Sequence, residues 1–146
     1  MATKKETEII AYTETWFKKL PPISSTARAK IVDIMPWLAL IFGILGVVVS
    51  VAGLGVLTFL SPLILLGGGF HAAGAGILGV LLGLISSILL LAGYPGLKAH
   101  KFKGWKLVYW SQAIGIISSL LSLSVFGILV GLVGIYLLFQ IKSAYK

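Results

Sequence analysis

Apolar positions dominate two long stretches of this chain, and neither stretch contains a charged side chain. Between Asp33 and Lys98, sixty-four consecutive residues include no Asp, Glu, Lys or Arg. A second uncharged stretch runs from Leu107 to Ile141. A soluble domain of this size has no core large enough to bury so much uncharged chain. The pattern therefore predicts an integral membrane protein.

Four apolar segments fit within these stretches, each near the about 20 residues that a helix needs to cross a bilayer. Sequences that break or turn a helix separate them, namely a glycine-rich stretch near Gly68, the turn signal from Gly93 to Gly96, and the short connection Ser122–Ser124. The predicted fold is all-α, an integral membrane four-helix bundle of two antiparallel hairpins. The predicted spans are residues 36–59, 73–93, 105–121 and 125–141.

The connection between the first two spans, residues 60–72, is unusually apolar for a loop. Pro62 and the run Gly67–Gly69 disfavour a helix here, since each glycine costs about 1 kcal/mol relative to alanine. Two alternatives remain at this point. The segment forms a loop at the outer membrane surface, or it forms a short re-entrant segment buried against the helices.

Residues 1–35 are predicted to form a cytoplasmic segment ahead of a membrane domain at 36–146. Helical spacing of apolar positions predicts an amphipathic interfacial helix over Glu6–Leu20, ended by two prolines. A second short helix over 27–35 is expected to lead into the first span. The segment either anchors the first span at the membrane surface or recruits a partner. The apolar positions of the first helix are Ile9, Tyr12, Thr13, Trp16, Phe17 and Leu20.

Composition and charge predict on which side of the membrane the loops and termini lie. The 146 residues are 58% hydrophobic, with a mean hydropathy of +1.06 and a net charge of +8. Basic residues bias their loops toward the cytoplasm. With four spans, all twelve basic residues lie on one side, which predicts a multi-pass protein of the cell membrane with both termini cytoplasmic. The first span is expected to act as an uncleaved anchor.

The excess positive charge points to a lipid surface as the partner. Lysines near an apolar span more often contact anionic headgroups than nucleic acid, so no nucleic-acid partner is predicted. A membrane-protein partner or a second copy of the chain is the other expected contact. The residues predicted to contact lipid or a partner are Trp16, Phe17, Lys18, Lys19, Lys98, Lys101, Lys103 and Lys106.

Few residues carry recognisable chemistry. The chain has no cysteine, which excludes disulfides and a thiol nucleophile, and all four acidic residues precede the first span. No catalytic residue, metal ligand or cofactor is therefore predicted. The GAGILG sequence at Gly74 matches a dinucleotide-binding pattern only formally, because no strand precedes it. His71 is a candidate gate for a small solute or a proton, or simply a side chain at the outer surface.

From Tyr94 onward, the sequences YPGLKAHKFKGWKLVYWSQ and YLLFQIKSAYK resemble uncharacterised small four-helix membrane proteins of bacteria. That resemblance implies a bacterial membrane protein of the same layout and supplies no site residues. The predicted function is a non-enzymatic small scaffold or accessory subunit. The alternative is a small channel, transporter or holin-like permeability protein, in which oligomers or residues 66–76 line a path.

Overall fold

The computed structural model describes residues 2–67, 70–121 and 123–146, and the side chains of all of these except 2, 3, 65 and 70–73. These residues form five α-helices and a final 3₁₀ turn, with no strand among them, so the all-α prediction is confirmed. The elements are α1 (Ala2–Phe17), α2 (Ser25–Leu66), α3 (Phe70–Lys98), α4 (Phe102–Leu121), α5 (Val125–Ile141) and the turn Lys142–Ala144.

The helix α2 is longer than predicted. The helix predicted over 27–35 runs into the first span at Pro36 without a break. The same 42-residue helix also passes through Pro62, where the sequence predicts a loop from residue 60. Pro62 has no amide hydrogen to donate to the carbonyl of Thr58. The Ser61 hydroxyl donates to that oxygen instead, at 2.8 Å. The loop prediction is thus wrong for residues 60–66, which lie in α2, and for 70–72, which lie in α3, while Gly68 and Gly69 lie outside the described residues.

Three helices are long and apolar enough to cross a membrane: Ser25–Ile64, Gly74–Lys98 and Val125–Ala144. Only 11% of the most apolar part of each of the first two is buried within the protein, which suits contact with lipid. These features are compatible with a membrane protein. The helix α4 occupies the predicted third span but is less apolar, since it contains two lysines and Gln112, and it is not among the three.

Small residues let neighbouring helices approach closely. Along α2 and α3, Gly46 contacts Ser87 and Gly76 contacts Leu57, so residue numbers rise on one helix as they fall on the other. Between α4 and α5, Gly127 lies against Ser119 and Gly131 against Ile116, which is the same opposed sense. Glycines and serines on the contacting faces are what such close approach requires.

The contact between α3 and α4 is continuous and partly polar. Ser86 and Ser111 exchange hydrogen bonds, each hydroxyl donating to the other residue's carbonyl at 2.8 Å. Further along, the Ser118 hydroxyl donates to the Gly79 carbonyl at 2.7 Å. Serine hydroxyls thus find acceptors across the helix pair rather than in water.

The buried core lies at one end of the packed helices. Trp105, Leu97, Val108 and Leu138 are fully buried there, and the Trp105 indole donates to the Leu138 carbonyl at 2.7 Å. This end also holds both chain termini and the connection between α3 and α4, residues 99–101. We call it the basic end, since all twelve Lys and Arg residues of the chain lie within residues 4–30, 98–106 and 142–146.

Candidate functional site: the basic end

The C-terminus and the α3–α4 connection are joined through the backbone. The amide of Phe102 donates to the carbonyl of Lys146 at 2.8 Å, and the amide of Lys146 donates to the carbonyl of His100 at 3.1 Å. The rings of His100 and Tyr145 stack with centroids 5.8 Å apart. Two segments distant in sequence therefore form one surface at the basic end.

The helix α1 packs on this surface through both polar and apolar contacts. The Thr13 and Tyr109 hydroxyls lie 3.0 Å apart, and the Phe17 and Phe139 rings stack with centroids 5.7 Å apart. Ile10, only 4% exposed, belongs to the core. The predicted interfacial helix is therefore also a cap over the ends of α4 and α5.

Two ion pairs tie α1 to the later helices. Glu14 pairs with Lys142 at 2.5 Å and with Lys18 at 3.3 Å, and Glu6 pairs with Lys106. Burial alone would raise the pKa of Glu14, but the hydrogen bonds and positive charges of Lys142 and Lys18 outweigh it and lower that pKa. Glu14 is consequently held in its charged form.

The apolar face predicted for the first helix is divided in the structure. Phe17 and Thr13 turn toward the protein, whereas Ile9, Tyr12 and Trp16 are 49%, 70% and 61% exposed. Helical spacing alone does not separate two adjacent apolar rows when each is flanked by polar residues. Ile10, which the pattern did not single out, provides the deepest contact of α1.

The structure places the predicted contact residues as follows. Lys19 lies over the ring of the exposed Trp16, 5.3 Å from its centroid, while Phe17 is half-buried. Lys18 and Lys106 are held in ion pairs. Three lysines at or beside the α3–α4 connection have exposed side chains, namely Lys98, Lys101 and Lys103. The His71 backbone lies in α3, but its side chain is outside the described residues, so its predicted gating role stays a prediction.

A cavity of about 560 Å³ lies between α1, the start of α2 and the C-terminal turn. Its charged lining comprises Lys18, Arg28, Lys142 and Glu14, and aromatic rings form part of its wall. A second cavity of about 270 Å³ lies against the other side of Arg28 and is lined also by Asp33 and His100.

Arg28 and Gln140 stand where the two cavities meet. An Arg28 Nη2 hydrogen donates to Gln140 Oε1 at 3.3 Å, while Arg28 Nε is buried without a hydrogen-bond partner among the described residues. The Tyr145 hydroxyl is likewise buried and unpaired, and burial, helped by the negative charge of Asp33, raises the pKa of Tyr145 to about 12. Sequence reasoning missed this pair because Arg28 and Gln140 lie 112 residues apart and share no motif.

No three His, Cys, Asp or Glu side chains in the described part of the chain lie close enough together to hold a metal ion. Comparison with the models of known families, with characterised proteins and with solved structures finds no match. The resemblance of residues 94–146 to small bacterial four-helix proteins therefore gains no support. Only the sequence and the structure of the protein, the basic end above all, bear on its function.

Proposed function

We propose that this chain is a non-enzymatic, four-span protein of the cell membrane that acts as a small scaffold or accessory subunit, with both termini in the cytoplasm. The observation that supports four spans is the course of α4. It lies along α3 from Gly104, which contacts Gly96, to Ser118, which bonds to Gly79. If α3 crosses the bilayer, α4 crosses with it.

The polar residues of α4 do not argue against this placement. Ser111 and Ser118 donate to carbonyls of α3. Hydroxyl groups in a membrane helix are tolerated when neighbouring helices satisfy them in this way. With four spans, every basic residue falls on one face and the two hairpins of the predicted bundle are antiparallel.

The packing of the basic end supports a structural role over a conducting one. Trp105, Val108 and Leu138 fill the space among α3, α4 and α5 there. A solute path through a single copy would need these side chains to move. The cap formed by α1 presents Tyr12, Trp16 and Lys19 outward, where amphipathic rings and a lysine suit the headgroup layer and its neighbours.

The absence of cysteine makes the topology directly testable. Single-cysteine variants Gly67→Cys, Ala99→Cys and Ser143→Cys would be treated with a membrane-impermeant maleimide before and after permeabilisation of intact cells. We expect Gly67→Cys to be labelled in intact cells, and the other two only after permeabilisation. A three-span protein in which α4 stays outside the bilayer would instead place positions 99 and 143 on opposite sides.

The role itself is tested by cross-linking and efflux. A photo-cross-linker at Tyr12, which is 70% exposed, should capture one defined membrane-protein partner, and the same group at the 79% exposed Phe126, at the far end, should capture none. Vesicles containing the purified protein should remain tight to small solutes. Solute leakage would favour the channel alternative, and a bare monomer in tight vesicles would contradict both.

A further inference from the structure

The seam between α2 and α5 is open, unlike the contacts between consecutive helices. A cavity of about 290 Å³ lies in it. Its outer edges are exposed side chains, among them Leu38 and Phe42 of α2 and Val133 of α5. Apart from Gln112, the lining is apolar or glycine, and it includes Met35, Ala39, Val130, Gly134 and Leu137. We call this cavity the α2–α5 groove.

A cation lies beyond one end of the groove on the same two helices. Arg28 precedes Met35 by seven residues on α2, which is about 10 Å along its axis. Gln140, the hydrogen-bond partner of Arg28, follows Leu137 by about one turn of α5. The cavities lined by Arg28 therefore lie one to two helical turns from this end of the groove.

The positive charge of Arg28 is not neutralised by an ion pair with any described residue. Glu14 already pairs with both Lys18 and Lys142, whereas no carboxylate of the described residues lies within ion-pair distance of Arg28. Its Nε is buried without an acceptor among the described residues. A buried donor without a partner is destabilising, so an anion that accepts its hydrogen would relieve that penalty. Arginine is suited to phosphate because its planar fork donates two parallel hydrogen bonds.

We propose that one anionic phospholipid binds at this junction, with its phosphate on Arg28 and an acyl chain in the α2–α5 groove. The inference rests on the proposed placement of the basic end at the cytoplasmic interface. From Met35 to Phe42 the groove runs about 10 Å, most of the about 15 Å depth of one leaflet. A headgroup phosphate at Arg28 and a chain beside Phe42 then lie at the depths where a lipid carries them.

The chemistry of the groove suits a lipid chain. The groove has a volume of about 290 Å³, and apart from Gln112 its lining is apolar or glycine. An acyl chain is flexible and wholly apolar, and it enters laterally from the bilayer past the exposed Val133.

Native mass spectrometry of the full-length protein in detergent tests this assignment. The purified chain is mixed with phosphatidylglycerol, or with phosphatidylcholine carrying the same acyl chains, and retained lipid is counted. We expect one retained phosphatidylglycerol and weaker retention of phosphatidylcholine. Arg28→Gln should reduce retention about tenfold, which corresponds to about 1.4 kcal/mol. Lys30→Gln, an equal loss of charge at an exposed position of the same helix, should retain the lipid like the parent.

The acyl chain is tested separately from the headgroup. Val133→Trp fills the groove from its exposed edge and should lower retention, whereas Leu132→Trp, exposed but outside the groove, should not. Parental retention in Arg28→Gln or in Val133→Trp would overturn the proposal. A second contrary result would come from competition with inorganic phosphate. If phosphate displaced the lipid equally well from the parent and from Val133→Trp, the groove would contribute nothing and the site would recognise phosphate alone. The maleimide test reports topology independently, so a failure of lipid binding is distinguishable from a failure of the four-span model.

Discussion

The closest approach of α3 and α4 offers a quantitative test of the fold. A Cβ atom added at Gly96 would lie 2.6 Å from the Gly104 Cα and 2.8 Å from its nitrogen. Ordinary contact begins near 3.4 Å, so the two backbones would have to separate by about 0.8 Å. The obstruction is backbone rather than a flexible side chain. Leu97 and Trp105, both fully buried beside this contact, would lose packing as the helices moved apart.

Gly96→Ala should therefore be destabilising despite the better helix propensity of alanine. Overpacking typically costs about 1–3 kcal/mol, and alanine recovers about 1 kcal/mol of propensity at most. The matched control is Gly55→Ala in α2, where an added Cβ meets no atom of the described residues within 4 Å. Since both variants gain the same propensity, their difference isolates the close contact. We expect Gly96→Ala to be about 2 kcal/mol less stable than Gly55→Ala, about thirtyfold in the unfolding equilibrium constant.

The measurement is equilibrium unfolding in mixed micelles with increasing sodium dodecyl sulfate, followed by circular dichroism and tryptophan fluorescence. Both probes should give the same order of stability for the parent, Gly55→Ala and Gly96→Ala. Equal unfolding midpoints and slopes for the two variants would refute the reasoning. They would mean that the helices separate at this point without cost, and that Gly96 and Gly104 are not in the contact described.

Two further predictions concern the cap and the polar seam. Because the pKa of Glu14 is lowered in the folded protein, its contribution to α1 docking is complete above its ordinary pKa of about 4.5 and is lost as the pH falls through the lowered folded-state value. Spin labels at Ala11→Cys and Lys103→Cys should separate on acidification; Glu14→Gln should separate them at neutral pH, and Glu8→Gln should behave as the parent. Ser111→Ala should destabilise the protein by about 0.6–1 kcal/mol in the same detergent titration, through loss of its bonds to Ser86. Exposed Ser143→Ala is its control, and equal losses in these two variants would contradict a role for the serine pair.

The regular parts of the fold follow from local pattern. The predicted fourth segment, 125–141, coincides with α5, and the predicted third differs from α4 by only three residues at its start. The short serine-containing sequence at residues 122–124 separates the end of α4 from the start of α5. The lysine-rich turn near residue 101 sets the start of α4. Both signals are local and act without reference to the remainder of the chain.

One departure from prediction is local, and two come from contacts between distant residues. At Pro62, the Ser61 hydroxyl donates to the Thr58 carbonyl that the proline leaves without its usual donor, and α2 continues. Which face of α1 is buried depends on Phe139 and Tyr109, more than ninety residues away. Arg28 and Gln140 meet because the start of α2 and the end of α5 reach the same level. Tertiary placement decides these last two outcomes.

The unequal lengths of the helices have a consequence for the surrounding bilayer. From Pro36 to Leu66, α2 is apolar over about 46 Å, whereas the 17 residues of α5 cover about 26 Å. Leu57 contacts Gly76, and Ser118 bonds to Gly79, so the last nine residues of α2 extend about 13 Å beyond the tip of α4. A flat hydrocarbon layer about 30 Å thick does not match the apolar lengths of both α2 and α5. In a bilayer, α2 would have to tilt or the hydrocarbon layer to thicken beside it, so the hydrophobic mismatch of this protein falls on the outer end of α2.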